Sequence, residues 1–225
     1  MRHYPLFLDL SGKRCLVVGA GAVGMRKIKS ILEADPEQIL VLDISKPSPD
    51  LTALCDDSQV CFEKRPFSPV DIADKFLVIA ATSNPELNRT IAELCHTSNI
   101  LCNIVDAPVL SSFIVPASIT HGDLTVAIST AGQSPALAKH LRQKLEDFFG
   151  NEYEQILVIL GRLRPLLLAL ELTTEENTAI FRNVVSSGLL EALAQQDLDN
   201  AAASLRKTLP EDLHDKIGEL LNGIA

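Results

Sequence analysis

The stretch CLVVGAGAVGMRK, Cys15 to Lys27, constrains this chain more than any other. An apolar run stops at Gly19, and Gly19, Gly21 and Gly24 spell G-x-G-x-x-G as a helical pattern begins. A tight turn, close backbone approach to a pyrophosphate and close helix–strand packing each call for a residue without a bulky side chain at one of those places. The free N–H groups and positive dipole end of the helix then face the phosphates. Asp43 closes the next apolar run, about 20 residues on, where a carboxylate holds a ribose 2′-hydroxyl. An aspartate there repels a 2′-phosphate, which predicts NAD rather than NADP, although Lys46 lies near and opposes that preference. Ala22 and Val23 at the helix start, Ile44 after Asp43, and Ala81 and Thr82 in AATSN complete the expected cofactor-binding set.

Strand-like runs at Cys15–Val18, Ile39–Asp43, Gln59–Phe62, Phe76–Ala80 and Leu101–Val105 are separated by helical or connecting segments. Val23, Ile28, Ile31 and Leu32 recur at helical spacing over Ala22–Glu33. A second crossover helix starts at SNPELNRTIAELC, with Asn84 as N-cap and Pro85 at the first helical position. Strands alternating with helices predict an α/β fold, a Rossmann-type parallel sheet with right-handed crossovers over residues 1–115.

The texture then changes. SSFIVPASI and GDLTVAIST read as two further strands joined near His121 and Gly122. GQSPALAKHLRQKLEDFFG reads as a helix capped by Ser134, opened by Pro135 and ended by Gly150, with Leu137, Leu141, Leu145 and Phe148 on one stripe. Two strands and one helix cannot enclose a core, so residues 116–150 must pack on the first domain or on a second chain. A second chain is favoured, making this a small α+β dimerisation segment. Residues 151–225 read as a C-terminal helical module, with a Thr173–Glu176 capping box and Pro210 opening a final helix.

A net charge of −9 argues against nucleic acid as a partner. The apolar patch in MRHYPLFLDLSGKR is too short for a signal segment, and Asp9 interrupts it. The greasiest stretch, ILVILGRLRPLLLAL from Ile156, is broken by Arg162, Arg164 and Pro165, so no membrane span is expected. Five cysteines without a C-x-x-C pair fit a reducing, cytoplasmic setting. His3, His96, His140 and His214 are scattered, and no metal site is expected.

A second informative stretch, CNIVDAP from Cys102, puts Asn103 and Asp106 at the carboxyl end of the fifth strand, where open α/β sheets bind ligands. An aspartate between a strand and a proline also reads as a turn residue. Together with YPLFLDLSGKRCLVVGAGAVGMRK, AATSNPELNRTIAELC, CNIVDAPVLSSFIVPASI and LTVAISTAGQSPALAKHLRQKLE, it resembles, in order over residues 4–146, the precorrin-2 dehydrogenases. These form the N-terminal part of siroheme synthase, in many members also a sirohydrochlorin ferrochelatase.

The resemblance implies NAD-dependent oxidation of the tetrapyrrole precorrin-2 to sirohydrochlorin in siroheme biosynthesis, and a homodimer held largely by the region after Val115. The family's catalytic aspartate falls on Asp106, the candidate general base, since an aspartate is ionised and ready to accept a proton at neutral pH. Asn103, Ser112, Phe113 and His121 are the expected substrate-binding residues. Family members often carry Arg-Gly where this chain has His121-Gly122, and histidine makes the local charge pH-dependent. The family's phosphorylatable serine falls on Thr130, which puts that regulation in doubt here. A substrate rich in carboxylates needs local cations. Arg26, Lys27, Lys29, Lys139, His140 and Arg142 are further candidates, with His121 ranked first because it lies in a turn. The competing readings are an NAD-sensing regulatory dimer without turnover, another NAD dehydrogenase, and a tetrapyrrole carrier.

Overall fold

Short runs of Val, Ile and Leu, buried on both faces, become the strands of a five-stranded parallel sheet. In chain order these are β1 (Arg14–Val18), β2 (Gln38–Asp43), β3 (Val60–Lys64), β4 (Leu77–Ala80) and β5 (Leu101–Ile104). The computed structural model describes residues 3–56 and 59–224, which fall into two compact units, one ending at Val115 and one beginning at Pro116. The expected segments 116–150 and 151–225 therefore share one unit.

In the first unit the strand order is β3-β2-β1-β4-β5. The chain builds outward from β1 in both directions, so the topological switch point lies between β1 and β4. Cys15, Val17, Ile39, Val41, Leu77 and Ile79 face Ile28 and Ile31 of α1 (Ala22–Leu32) and Leu51 of α2 (Pro49–Leu54). The alternate residues Leu16, Val18, Leu42, Val78, Ala80, Cys102 and Ile104 face Ile91, Ala92 and Cys95 of α3 (Pro85–Thr97). Coverage of both faces explains why these strands read as apolar throughout rather than alternating. A fully buried Ile or Leu contributes about 1.5–3 kcal/mol here. Burial pushes the Cys15 thiol up to about 11 and the Cys95 thiol up to about 12, so both act as small apolar residues. The short helix α2 was not anticipated; Ser48 caps it, its Oγ accepting from the Leu51 N–H at 3.2 Å, and Pro49 opens it.

The second unit begins with an antiparallel hairpin, β6 (Ala117–His121) and β7 (Leu124–Ile128), turned by Gly122 at φ +53°. The expected strand across SSFIVPASI is therefore limited to its last residues. Ser111 and Ser112 are drawn aside by hydrogen bonds to β5, and Pro116 has no N–H for a ladder. Both strands pack on α4 (Pro135–Phe148) and α5 (Asn151–Leu168) of the same unit, where packing on another domain or chain was expected. The physical reason is the immediate return of the chain: Gly150, expected to end α4, instead starts α5, and Phe149 stacks edge-on with Tyr153 at 4.8 Å between centroids. The expectation of a thin core nevertheless has a counterpart, because Ile119 is the single buried side chain among residues 116–150.

The rest of the unit is helical: α6 (Thr174–Val185), α7 (Leu189–Ala194), α8 (Leu198–Thr208) and α9 (Ile217–Leu220). Ile159, Leu163, Leu167, Val184, Leu189 and Leu205 form its fully enclosed core. The capping box is formed as read: the Thr173 N–H donates to Glu176 Oε2 at 2.9 Å and the Glu176 N–H to Thr173 Oγ1 at 3.2 Å. Arg162, which interrupts the apolar stretch of α5, donates to the carbonyls of Leu220 and Asn222 at 3.0 and 2.6 Å. Pro210 opens a 3-10 turn, Glu211–Lys216, rather than an α-helix; α9 follows it. No helix among the described residues is long and apolar enough to cross a membrane.

Candidate functional site

At the carboxyl end of β1 the chain turns through Gly19 at φ +97°. A Cβ there would stand 2.6 Å from the Ala81 carbonyl oxygen, so the β1–α1 turn and the β4–α3 loop lie in backbone contact. Gly24 presses on the Gly19 carbonyl, which leaves no room for a side chain and seats α1 tightly against the turn. Gly21 is the opposite case: nothing lies within 4 Å of where its Cβ would be. No side chain caps the start of α1, and its first turn holds no acidic residue. Ala22 and Val23 thus begin a helix whose positive end is open, an arrangement that fits a dinucleotide pyrophosphate.

Asp43, at the end of β2, reaches back to this turn. Its Oδ2 accepts from the Ala20 N–H at 2.7 Å and its Oδ1 from the Ser45 N–H at 2.8 Å. Partial burial makes it a weaker acid, but the hydrogen bonds from Ala20, Ser45 and Ile44 outweigh that and hold the carboxyl below its usual range. Each oxygen retains a lone pair for a ribose hydroxyl. Ile44 beside it is 72% exposed, an apolar surface available to an adenine ring.

The β4–α3 loop is tied down from within. Thr82 Oγ1 donates to Asn88 Oδ1 at 2.6 Å, and Asn88 Nδ2 donates to the Thr82 carbonyl at 3.0 Å. Asn84 caps α3, accepting from the Glu86 and Leu87 N–H groups at 3.0 and 3.2 Å. Asn88 was missed in the sequence. The readable signal was a polar residue on the buried stripe that continues through Ile91, Ala92 and Cys95.

Asp106 lies two residues past β5 at φ +59°, exposed, and its carboxylate has no hydrogen-bond or ion-pair partner among the described residues. Neighbouring strands stand about 4.8 Å apart, so the end of β5 is about 10 Å across the sheet edge from the end of β1. The segment after it folds back along β5. The Ser112 hydroxyl accepts from the Cys102 N–H, and the Ser111 hydroxyl from the Ile104 N–H, both at 2.8 Å. Asn103 Nδ2 donates to the Phe113 carbonyl at 3.1 Å, leaving its amide oxygen unengaged. Asn103, Asp106, Ser112 and Phe113 are therefore brought together at one sheet edge, with Ser112 and half of Asn103 committed to holding that edge. Ser111 was not singled out in the sequence, and nothing local distinguishes it from Ser112.

His121 belongs to the other unit, at the end of β6, and its Nε2 is buried without a partner. Thr130 Oγ1 is engaged with the backbone of Ser134, at 3.2 and 3.3 Å. Of the other basic candidates, Lys29 pairs with Asp50 and Arg142 with Glu146, while Lys139 and His140 are exposed on α4 and Arg26 on α1. Lys27 is half-buried on α1 with no ion pair among the described residues. Burial first, and Arg26 second, lower its affinity for a proton. Among the described residues no group of three or more His, Cys, Asp or Glu could hold a metal ion.

Comparison with known proteins identifies relatives of this chain. Residues 6–117 match a family model described as "Putative NAD(P)-binding", and residues 121–147 match one described as "Sirohaem biosynthesis protein central". A siroheme synthase of Ruthia magnifica subsp. Calyptogena magnifica is 30% identical over 221 residues, 98% of this chain and 46% of that protein. A siroheme synthase of Salmonella arizonae is 32% identical over 222 residues, 98% of this chain and 48% of that protein. The chain thus spans about half the length of these relatives. The fold is that of a solved structure titled "SirC, precorrin-2 dehydrogenase", with a TM-score of 0.75 at 23% identity, covering 91% of this chain and all of that one. With both models matched in order and relatives aligned over nearly its whole length, the chain belongs to the siroheme synthase family.

Proposed function

We propose that the chain oxidises precorrin-2 to sirohydrochlorin with NAD, releasing NADH and a proton, and that Asp106 is the general base. The observation that carries this reading is the Asp106 carboxylate, exposed and unengaged at the same sheet edge as the open glycine turn. When bound, NAD supplies the hydride acceptor. The N–H groups at the start of α1, including Ala22 and Val23, hold the pyrophosphate, and Gly21 admits it without steric conflict. Asp43 holds the ribose 2′-hydroxyl and disfavours a 2′-phosphate, while Ala81 and Thr82 border the nicotinamide half. The Asn103 amide oxygen accepts a pyrrole N–H, and Asp106 accepts the proton that leaves the macrocycle.

Two further elements belong to the same proposal. The chain acts as a cytoplasmic homodimer, supported by its five free cysteines and by the exposed Leu137, Leu141 and Phe148 on α4. Asp106 also takes up pyrrole protons as Fe²⁺ enters sirohydrochlorin.

The test is to mix the protein with NAD⁺ and enzymatically made precorrin-2 and follow NADH and the absorption of the macrocycle. NADH and sirohydrochlorin forming together support the enzyme. Binding of NAD⁺ without turnover favours the NAD-sensing dimer instead. Incubation with sirohydrochlorin and Fe²⁺ or Co²⁺ tests metal insertion separately, and sedimentation tests the dimer.

A further inference from the structure

Only two polar or charged side chains are buried among the described residues, Asp71 and Asn88. Asp71 is accounted for by Arg65, whose guanidinium donates to both of its oxygens at 2.8 Å. Asn88 has no charged partner and sits where an apolar residue would serve the packing of α3 equally well, beside Ile91 and Ala92. Its carboxamide instead grips one residue, Thr82, at both hydroxyl and carbonyl.

We propose that Asn88 is a positioning residue that sets the hydrogen-bonding sense of the Thr82 hydroxyl toward the nicotinamide half of the cofactor. This assignment rests on the NAD reading above and deepens it. A hydroxyl has one hydrogen and two lone pairs. The Thr82 hydrogen has two acceptors, Asn88 Oδ1 at 2.6 Å and the Asn84 carbonyl at 3.2 Å, and the shorter directs it to Asn88; one lone pair accepts from the Asn84 N–H at 3.2 Å. One acceptor site remains, so the hydroxyl can receive a hydrogen from a ligand but not give one. The nicotinamide half offers such hydrogens on its ribose hydroxyls and its carboxamide NH₂.

The second bond, from Asn88 Nδ2 to the Thr82 carbonyl, fixes the peptide itself. The same loop is blocked on its other side, because the Ala81–Thr82 peptide lies against Gly19. Held between the glycine turn and α3, the hydroxyl keeps one position and one polarity. Without Asn88 the hydrogen keeps only the longer contact to the Asn84 carbonyl at 3.2 Å, for which an acceptor on a ligand competes.

The experiment is calorimetric titration of NAD⁺ and of ADP, which lacks the nicotinamide half, into wild type and variants. Asn88→Leu is expected to weaken NAD⁺ binding about tenfold, the scale of one well-formed hydrogen bond, with ADP affinity unchanged. Asn88→Asp keeps an acceptor for the Thr82 hydrogen and is expected to restore most of the NAD⁺ affinity. Equal losses for NAD⁺ and ADP, or no loss for NAD⁺, overturn the assignment. Should Asn88→Leu fail to fold, Thr82→Val is read in its place: a selective loss of NAD⁺ affinity upholds the proposal, and none overturns it. Wild-type protein that binds neither ligand overturns the cofactor reading as well. Binding of both with no selective effect in the variants removes the Asn88 role alone.

Discussion

Left-handed backbone at residues other than glycine occurs in both units, at Asp74 and Asp106 of the first and Ala131 of the second as well as at helix ends. In the unit beginning at Pro116, Glu171 and Gln196 take positive φ just beyond α5 and α7, and in the first unit Asp35 and Asn99 do the same after α1 and α3. These are ordinary helix terminations, which satisfy the last carbonyls of a helix. Asp106 follows a strand, so helix termination does not account for its φ of +59°. It sits in a hydrogen-bonded turn, with the Ala107 N–H donating to the Ile104 carbonyl at 3.2 Å, where aspartate tolerates left-handed backbone better than most residues. The buried polar side chains, Asp71 and Asn88, also lie in the first unit, as do Gly19 and Gly24, the two glycines that backbone carbonyls crowd. In the second unit polar groups mainly cap and staple: Ser134, Thr173, Asp197 and Arg162 each close a helix end. The first unit thus holds the buried polar groups and the crowded glycines, and the second is arranged around its own packing.

Replacing the unengaged carboxylate gives the largest contrast. Asp106→Ala is expected to lower precorrin-2 oxidation about a thousandfold, the range of a lost general base, with an unchanged melting temperature. NADH formation and thermal unfolding check the two halves, and wild-type-like turnover would break the comparison. Leu163→Ala should do the reverse. It opens a cavity in the helical core at a cost of about 2–5 kcal/mol in stability, read by denaturant unfolding, while NAD⁺ affinity holds.

A smaller effect concerns acid. The Arg65 guanidinium, ahead of the opposing effect of burial and aided by the Ser68 N–H, holds the Asp71 carboxyl below its ordinary value of 3.8. A group lowered in the folded state contributes its stability above the unfolded value and loses it as pH falls through the folded one. Unfolding measured from pH 6 to pH 2 should therefore lose stability below about pH 4, and Asp71→Asn should flatten that slope.

Asp43→Ala is expected to weaken NAD⁺ binding about tenfold and narrow its margin over NADP⁺, as measured by titration of both. The loss has two sources, the ribose contact and the Ala20 N–H that the carboxylate holds in the glycine turn. The smallest effect belongs to a cap: Thr173→Ala should cost about 1 kcal/mol in unfolding and leave NAD⁺ binding untouched.

Much of this was legible before the fold. Gly19, Gly21 and Gly24 announce their turn because the steric demands are local, and Asn84, Pro85, Ser134 and Thr173 announce helix starts for the same reason. The hairpin at His121–Gly122 was legible in outline, but not α5 as its partner, since nothing local to Asn151–Leu168 ties that helix to the two strands.

Spacing and residue type, acting within a turn or two of the chain, were enough to determine the five parallel strands, the α1 and α3 crossovers, the glycine turn and the place of Asp106 after a strand end. Tertiary structure alone decided which polar atoms meet. Asp43 reaches Ala20 across 23 residues, Ser112 meets Cys102 and Asn103 meets Phe113 across 10 each, and Asn88 turns back to Thr82. Those bonds depend on strand register and helix placement, and their geometry appears only when the sheet has closed. Local sequence sets backbone propensity, whereas the direction of a side-chain hydrogen bond is set by what packing brings opposite it.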